Sequence, residues 1–436
     1  MDESIVDSDE TLRHPLTALT LVVALTIPWT VARLTGAAGS LPTVAVIALS
    51  GTAVLGAAFV LTWAAETAEK DVPRAFALAV LAVIAVAPEY AVDALYAWEA
   101  GLVPGSPASE AAADLAVANM TGANRILIGL GWSGIALYAI YRAMKNPDQA
   151  VERREGLLTD QVRLNDRISI ELIFLAIATV YAFFIPFNDG IDVFDALFLV
   201  GLYVTYIAVI LKGDAGEETH LGVPGYLQGL ARGPRIASVL ALFAFSAFVI
   251  LIAVKPFAKG LETLGPMIGL SSFFMIQWVA PLASESPEFI ATAYLVRKAR
   301  TTASFNTLIS SKLNQWTLLI GTLVIVYSFS LGYYDSLSFS ARQAGEIWLT
   351  AAQSFFAVVL LVDLTISIRE ALALLGLFAI QFHPYFHTYE GLLVVSGIYL
   401  VIGLGLLVAR LGHLPDLWAK ARDHASEDQS SPPHEG

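Results

Sequence analysis

Apolar residues run through this chain in stretches of roughly 20, the length a helix needs to cross a hydrocarbon core of about 30 Å. The stretches fall near 15–34, 41–64, 74–98, 110–142, 168–186, 191–211, 236–254, 263–296, 304–332, 346–366, 370–384 and 390–410. This pattern predicts an all-α polytopic membrane protein of about twelve transmembrane helices. The polar segments between the spans are short. The longest, 143–167, is expected to be a partly helical loop rather than a separate soluble domain. The first apolar run follows acids instead of a basic region, with no small-residue cleavage site after it, so it reads as a retained span.

Basic residues test this division, because Lys and Arg gather on the cytoplasmic loops. Arg33, Lys255, Lys259 and Arg342 fall on one side, and Arg125 and Lys312 lie within spans. All the other Lys and Arg fall on the side of the N-terminus. The expectation is an integral protein of the cell membrane with both termini cytoplasmic.

Composition agrees. The chain is 56% hydrophobic and 14% charged, with a mean hydropathy of +0.67. Its net charge of -13 sits largely in the tails and in GDAGEETH, which argues against a nucleic-acid surface. It contains no Cys. Disulfides, thiolate metal sites and cysteine nucleophiles are therefore excluded. An intramembrane enzyme finds no support either, since HExxH, GxGD and a His at a span centre are all lacking.

Two segments repeat each other. AVAPEYAVDALYA (85–97) is followed by NMTGANRILIGLGW (119–132), and ASESPEFIATAYL (283–295) by ISSKLNQWTLLIGT (309–322). Pro88-Glu89-Tyr90 matches Pro287-Glu288-Phe289, and Asn124-Arg125 matches Asn314-Gln315, with Gly131 and Gly321 following at equal distance. The matching gives two five-helix units of opposite orientation, the inverted-repeat design of secondary transporters. It divides the chain into an acidic tail and extra first helix (1–40), a first repeat (41–212), a cytoplasmic linker (213–235), a second repeat (236–388), and a last helix with an acidic tail (389–436). Proline within a span removes a backbone donor, so each PE helix is expected to be broken there and to leave polar backbone facing protein or water.

An ionisable side chain at the bilayer centre costs roughly 2.5 to 3.5 kcal/mol on insertion scales. Glu89, Asp93, Arg125, Glu285, Glu288 and Lys312 cannot all face acyl chains. Glu285 and Glu288 share one helix face, as do Glu89 and Asp93. Ser284, Ser286, Asn119, Asn124, Ser310, Ser311, Asn314 and Gln315 add oxygen ligands of the kind that bind hard cations such as sodium and calcium. Arg125 is a candidate partner for Glu285 or Glu89. Lys312 is either a partner of the carboxylates or a residue that snorkels to the interface. Asp192, Asp195 and Asp363, near span ends, read as caps or rim residues. HPYFH sets His383 and His387 four apart near Glu390, a metal-type spacing only on a helix, and Pro384 argues against one.

These motifs resemble the calcium/cation antiporter superfamily, the sodium/calcium exchanger membrane-region fold, over roughly residues 41–385. The resemblance implies ten core helices, Glu89 and Glu288 as paired acidic ion ligands, and hydroxyl or carbonyl donors around Thr121 and Ser311. It also marks departures: Val86 stands where a serine ligand is expected, with Glu285 at the matching place in the second copy, and Arg125 and Gln315 stand where exchangers carry Asn or Asp. The resulting expectation is an antiporter exchanging calcium, or another cation, for sodium or protons, with no organic cofactor. The alternatives are a sodium/proton exchanger on the same fold and a non-transporting membrane scaffold or sensor. Inorganic cations and the bilayer are the expected partners.

Overall fold

The computed structural model describes residues 14–72, 86–188, 190–212 and 221–426. The extreme tails, the acidic run at 213–220 and the first half of the predicted span 74–98, up to residue 85, lie outside the described residues. The described residues are mostly helical. Eight helices among the described residues are long and apolar enough to cross a membrane. The expected spans 346–366 and 370–384 also form helices, Ala341–Leu360 and Ile368–Ile380, but these do not meet the same test of length and hydropathy.

The chain forms two compact units, 1–92 with 215–287 and 93–214 with 288–436. Two of the three unit boundaries fall inside the PE helices, α3 (Ala87–Leu102) and α10 (Ala280–Arg297). In the first unit, α1 (Pro15–Leu34) and α9 (Arg232–Met267) pack along α2 (Thr43–Ala68). In lipid, helix association depends on close packing rather than on expelling water. The small residues of α2 and α9 supply it: a side chain at Gly51 would press on the Phe257 ring at 2.9 Å, and one at Gly260 on Ile47 at 2.6 Å. The Trp29 indole crosses to donate to the Ile252 carbonyl at 3.0 Å. At the end of α2, the linker helix α8 (Gly222–Gln228) is fastened by Lys70 Nζ donating to the Gln228 carbonyl at 2.7 Å. Arg235 donates to both oxygens of Asp71 at 2.6 Å.

In the second unit α4 (Pro107–Ile126) runs through a π-helical stretch, Leu127–Trp132, into α5 (Ser133–Ala143). The unit also holds α6 (Ser169–Ala182), α7 (Val193–Ile210) and α11 (Thr301–Asn314), whose π stretch Gln315–Leu319 leads into α12 (Ile320–Leu331). Helices α13 (Ala341–Leu360), α14 (Ile368–Ile380), α15 (Tyr389–Arg410) and α16 (Leu414–Ser426) complete it.

Several expectations change. The loop 143–167 is built mainly on strands, with helix only at its ends: Ala143 closes α5 and a 3-10 turn starts at Asp166. Its β1 (Val151–Glu152) and β2 (Gln161–Arg163) pair antiparallel, and β2 pairs in turn with β3 (Thr365–Ser367), facing Val162 to Ile366. Both of those side chains are buried. The same loop supplies Asp148, whose Oδ2 accepts from the Thr301 amide at 3.1 Å and its hydroxyl at 2.6 Å, fixing where α11 begins. The C-terminal segment taken as tail includes α16. Helix α10 runs unbroken through Pro287; the irregularity lies upstream, in the π-helical stretch Met275–Val279. A π turn accommodates an extra residue without ending the helix, and such turns are frequent at functional sites.

The aspartates at the span ends behave as expected. Asp192 and Asp195 form a capping box on α7, and Asp363 caps the Thr365 amide and pairs with Arg410 at 3.2 Å. HPYFH forms a single 3-10 turn, Pro384–His387, which does not align its two histidines on an α-helical face. No group of three or more potential metal-ligating His, Asp or Glu side chains occurs among the described residues.

Candidate functional site

The PE motif of the first repeat opens α3, with Glu89 in its first turn and 2% exposed. The Ser284 hydroxyl, from the PE helix of the second repeat, donates to Glu89 Oε2. Both residues belong to the first unit, together with Glu285, which is 3% exposed. The two copies of the motif thus meet within one compact body: a hydroxyl from one repeat serves the acid of the other.

Ser286 is also in the first unit, its hydroxyl donating to the Leu282 carbonyl, and the remaining expected residues lie in the second. Glu288, half-buried, accepts from the Ser311 hydroxyl at 2.9 Å. Asp93 is buried and accepts from the Asn119 amide at 3.0 Å. Thr121 is enclosed and its hydroxyl donates to the Val117 carbonyl at 2.7 Å, leaving oxygen lone pairs as its only coordinating capacity. The Asn314 amide donates to the Tyr203 hydroxyl at 3.2 Å. Gln315 is enclosed in the π stretch, and Ser310 is half-buried one turn before it. The π stretches 127–132 and 315–319 fall at overlapping positions when the repeats are matched. The duplication seen in residue types is therefore present in the backbone as well.

The two internal cations behave differently from the expectations. Arg125 makes an ion pair with Glu346, Nη2 to Oε2 at 2.5 Å, with both side chains essentially inaccessible. Its Nη1 donates to Gln381 Oε1 at 3.3 Å. The Gln381 amide donates in turn to Gln353 Oε1 at 2.9 Å and to the Tyr399 hydroxyl at 3.0 Å, and the Gln353 amide donates to the Arg125 carbonyl. Lys312 does not snorkel. It is fully buried, and its Nζ donates to Asn124 Oδ1 at 2.7 Å while lying 4.2 Å from the Trp316 ring centre.

Sequence reasoning missed Glu346, Gln353, Gln381 and Tyr399. A signal was available: on α13, Gln343, Glu346, Thr350 and Gln353 recur at helical spacing and are all buried, forming a polar stripe that must face partners inside the protein. An apolar cavity of about 380 Å³ in this unit, lined by Val193, Val324, Phe329 and Tyr334 among others, shares no residue with the motifs.

Chemically, the arrangement supplies carboxylates that have a hydroxyl companion, with amide oxygens nearby in sequence. These are hard ligands suited to group 1 and group 2 cations. Among solved structures, the chain resembles that of the H+/Ca2+ exchanger CAX at 43% identity, with a TM-score of 0.85, over 95% of this chain and 99% of that one. Two structures of YfkE, described as a Ca2+/H+ antiporter protein, match at TM-scores of 0.56 and 0.51 and 14% and 15% identity, covering 88% and 89% of this chain and 99% of each of theirs. At that identity they attest the fold alone. No curated sequence matches. The model described as sodium/calcium exchanger protein matches residues 42–212 and 238–382. Most of the length falls within those two blocks, and the chain belongs to the sodium/calcium exchanger family of membrane cation transporters.

Proposed function

We propose that this protein exchanges calcium for protons, with Glu89 and Glu288 as the acidic ligands and Ser284 and Ser311 as their hydroxyl companions. The observation that carries the reading is the duplicated pairing: Glu89 and Glu288 occupy matching repeat positions, and each accepts a hydrogen bond from a serine. A carboxylate holds either a metal ion or a proton. Two of them are neutralised equally by one calcium ion or by two protons, so the same pair can carry both legs of an exchange. The likeness to the H+/Ca2+ exchanger supports protons as the driving ion.

An Arg125 paired with one of these carboxylates would leave less negative charge for a divalent ion. Its pairing with Glu346 gives the guanidinium a local partner, which favours the divalent reading. Glu285, Thr121, Asn314 and Gln315 are the supporting oxygen donors of the proposal, Asp93 and Ser310 its neighbours. The proposal has the protein in the cell membrane with both termini in the cytoplasm, a sidedness supported by the distribution of Lys and Arg. Alternating exposure follows from rearrangement around inverted repeats.

Uptake of radioactive calcium into proteoliposomes tests this. A pH gradient should drive uptake, and Glu89→Gln and Glu288→Gln should each abolish it. Calcium at about a hundred times its Kd should stabilise the wild type by about 2.7 kcal/mol and leave either variant unaffected. Sodium-gradient-driven calcium uptake, with none driven by pH, would replace protons by sodium. Sodium flux driven by pH without calcium transport would establish the sodium/proton alternative.

A further inference from the structure

Lys312 stands apart among the buried polar groups. It is enclosed within α11, and among the described residues it forms no ion pair with a carboxylate. Its Nζ is held between Asn124 Oδ1, at 2.7 Å, and the face of the Trp316 indole, at 4.2 Å. The orientation of Asn124 is set independently: its Nδ2 donates to the Met120 carbonyl at 2.8 Å, which turns the oxygen towards the ammonium. An amide oxygen and an aromatic face are what a small monovalent cation accepts as surroundings. Here a tethered cation fills that place.

Position strengthens the point. The neighbouring residue, Ser311, bonds Glu288, so the ammonium is one residue from a proposed ligand. Matching the repeats sets Lys312 against Gly122, so the first copy carries no counterpart. Arg125, the other internal cation, has Glu346 as its counter-charge. Lys312 has only neutral neighbours as direct partners, so its charge acts on whatever else enters.

We infer that Lys312 is a built-in cation that occupies the Asn124 oxygen and excludes a monovalent metal ion from it, so that it determines selectivity for a divalent substrate over sodium. Asn124, on this view, is a ligand to the lysine and not to the transported ion. The inference rests on the carboxylate-site reading above.

The test uses the full-length protein in proteoliposomes, with pH-driven calcium uptake titrated by sodium chloride against choline chloride. Lys312→Met keeps the aliphatic stem and removes the charge, vacating the oxygen. Sodium should then inhibit at a concentration at least about tenfold lower than in the wild type, and sodium alone should raise the melting temperature of the variant only. Lys312→Arg, which keeps a cation, should behave as the wild type. Should Lys312→Met not hold together, Lys312→Leu also removes the charge and vacates the Asn124 oxygen, and sodium sensitivity should still appear.

Folded variants with wild-type sodium dependence would overturn the inference, as would a loss of calcium uptake with no sodium effect, which marks a packing role. If the wild type takes up no calcium, the carboxylate reading fails instead. The sodium-dependent melting comparison still decides the role of Lys312 in that case.

Discussion

Breaking the Arg125–Glu346 pair should be among the most damaging single changes to this protein outside the carboxylate motifs. The two groups touch at 2.5 Å with side-chain exposures of 1% and 0%. Two unit charges about 4 Å apart attract by about 4 kcal/mol at an effective dielectric of 20. Removing one partner of a buried pair typically costs about 3 to 5 kcal/mol, because the other charge is stranded. Glu346→Gln should fall near the lower bound, since a glutamine oxygen can still accept from the guanidinium. Arg125→Met should fall near the upper, leaving the carboxylate without its cation. The double variant, Arg125→Met with Glu346→Gln, should be less damaged than the sum of the two and close to the milder single, since no charge is then stranded. Membrane proteins commonly unfold irreversibly, so the quantity to compare is the rate of thermal unfolding in detergent, followed by tryptophan fluorescence. If the pair forms late in folding, each single change should accelerate unfolding by about 10²-fold to several thousand-fold. Single variants within about 1 kcal/mol of wild type, or a double variant as poor as the two singles added, would refute this account of the pair.

Other expectations follow from contacts already described. Gly129, in the π stretch, lies so close to the Phe378 ring that an added methyl would fall within it. Gly129→Ala should cost about 1 to 3 kcal/mol, and adding Phe378→Leu should recover part of it in the same unfolding assay. Asp71 is held below its ordinary value of 3.8, chiefly by hydrogen bonds from Arg235, with desolvation opposing. A carboxyl lowered in the folded state contributes stability that is complete above the unfolded value and is lost as pH falls through the folded one. The fastening of α8 should therefore be constant from pH 5 to 8 and weaken only below the usual carboxylate range, whereas Asp71→Asn loosens it at every pH. Hydrogen exchange across 222–235, corrected for its intrinsic pH dependence, would show the difference.

Much of the architecture is legible in hydropathy because lipid permits few solutions. Runs of apolar residues must become helices, and the duplicated PE segments mark where polarity re-enters them. What the sequence conceals is the choice of partner. Arg125 could be seen to need a carboxylate, yet nothing in its own segment names Glu346, which arrives from a helix more than 200 positions away; only the polar stripe of α13 hints at it. Lys312 illustrates the opposite difficulty. A lysine near a helix end usually reaches for water, and its capture by Asn124 depends on two motif helices meeting in space. Pro287 misled for a local reason: Met275–Val279 takes up the irregularity expected at the proline, and α10 continues. The strands of 143–167 were hidden because β2 finds one partner nearby in the chain and another, at 365–367, two hundred residues on.

The π stretches have a consequence for editing this chain. Each acts as a one-residue phase shift within an otherwise continuous rod, and one residue corresponds to about 100° of rotation. Deleting a single residue within 127–132 should leave the rod intact as ordinary α-helix. It would also turn Thr121, Asn124 and Arg125 by that angle relative to α5. Length variation at these positions is thus a switch of facing rather than of reach, and an insertion or deletion there would re-aim the motif while preserving the hydrophobic span.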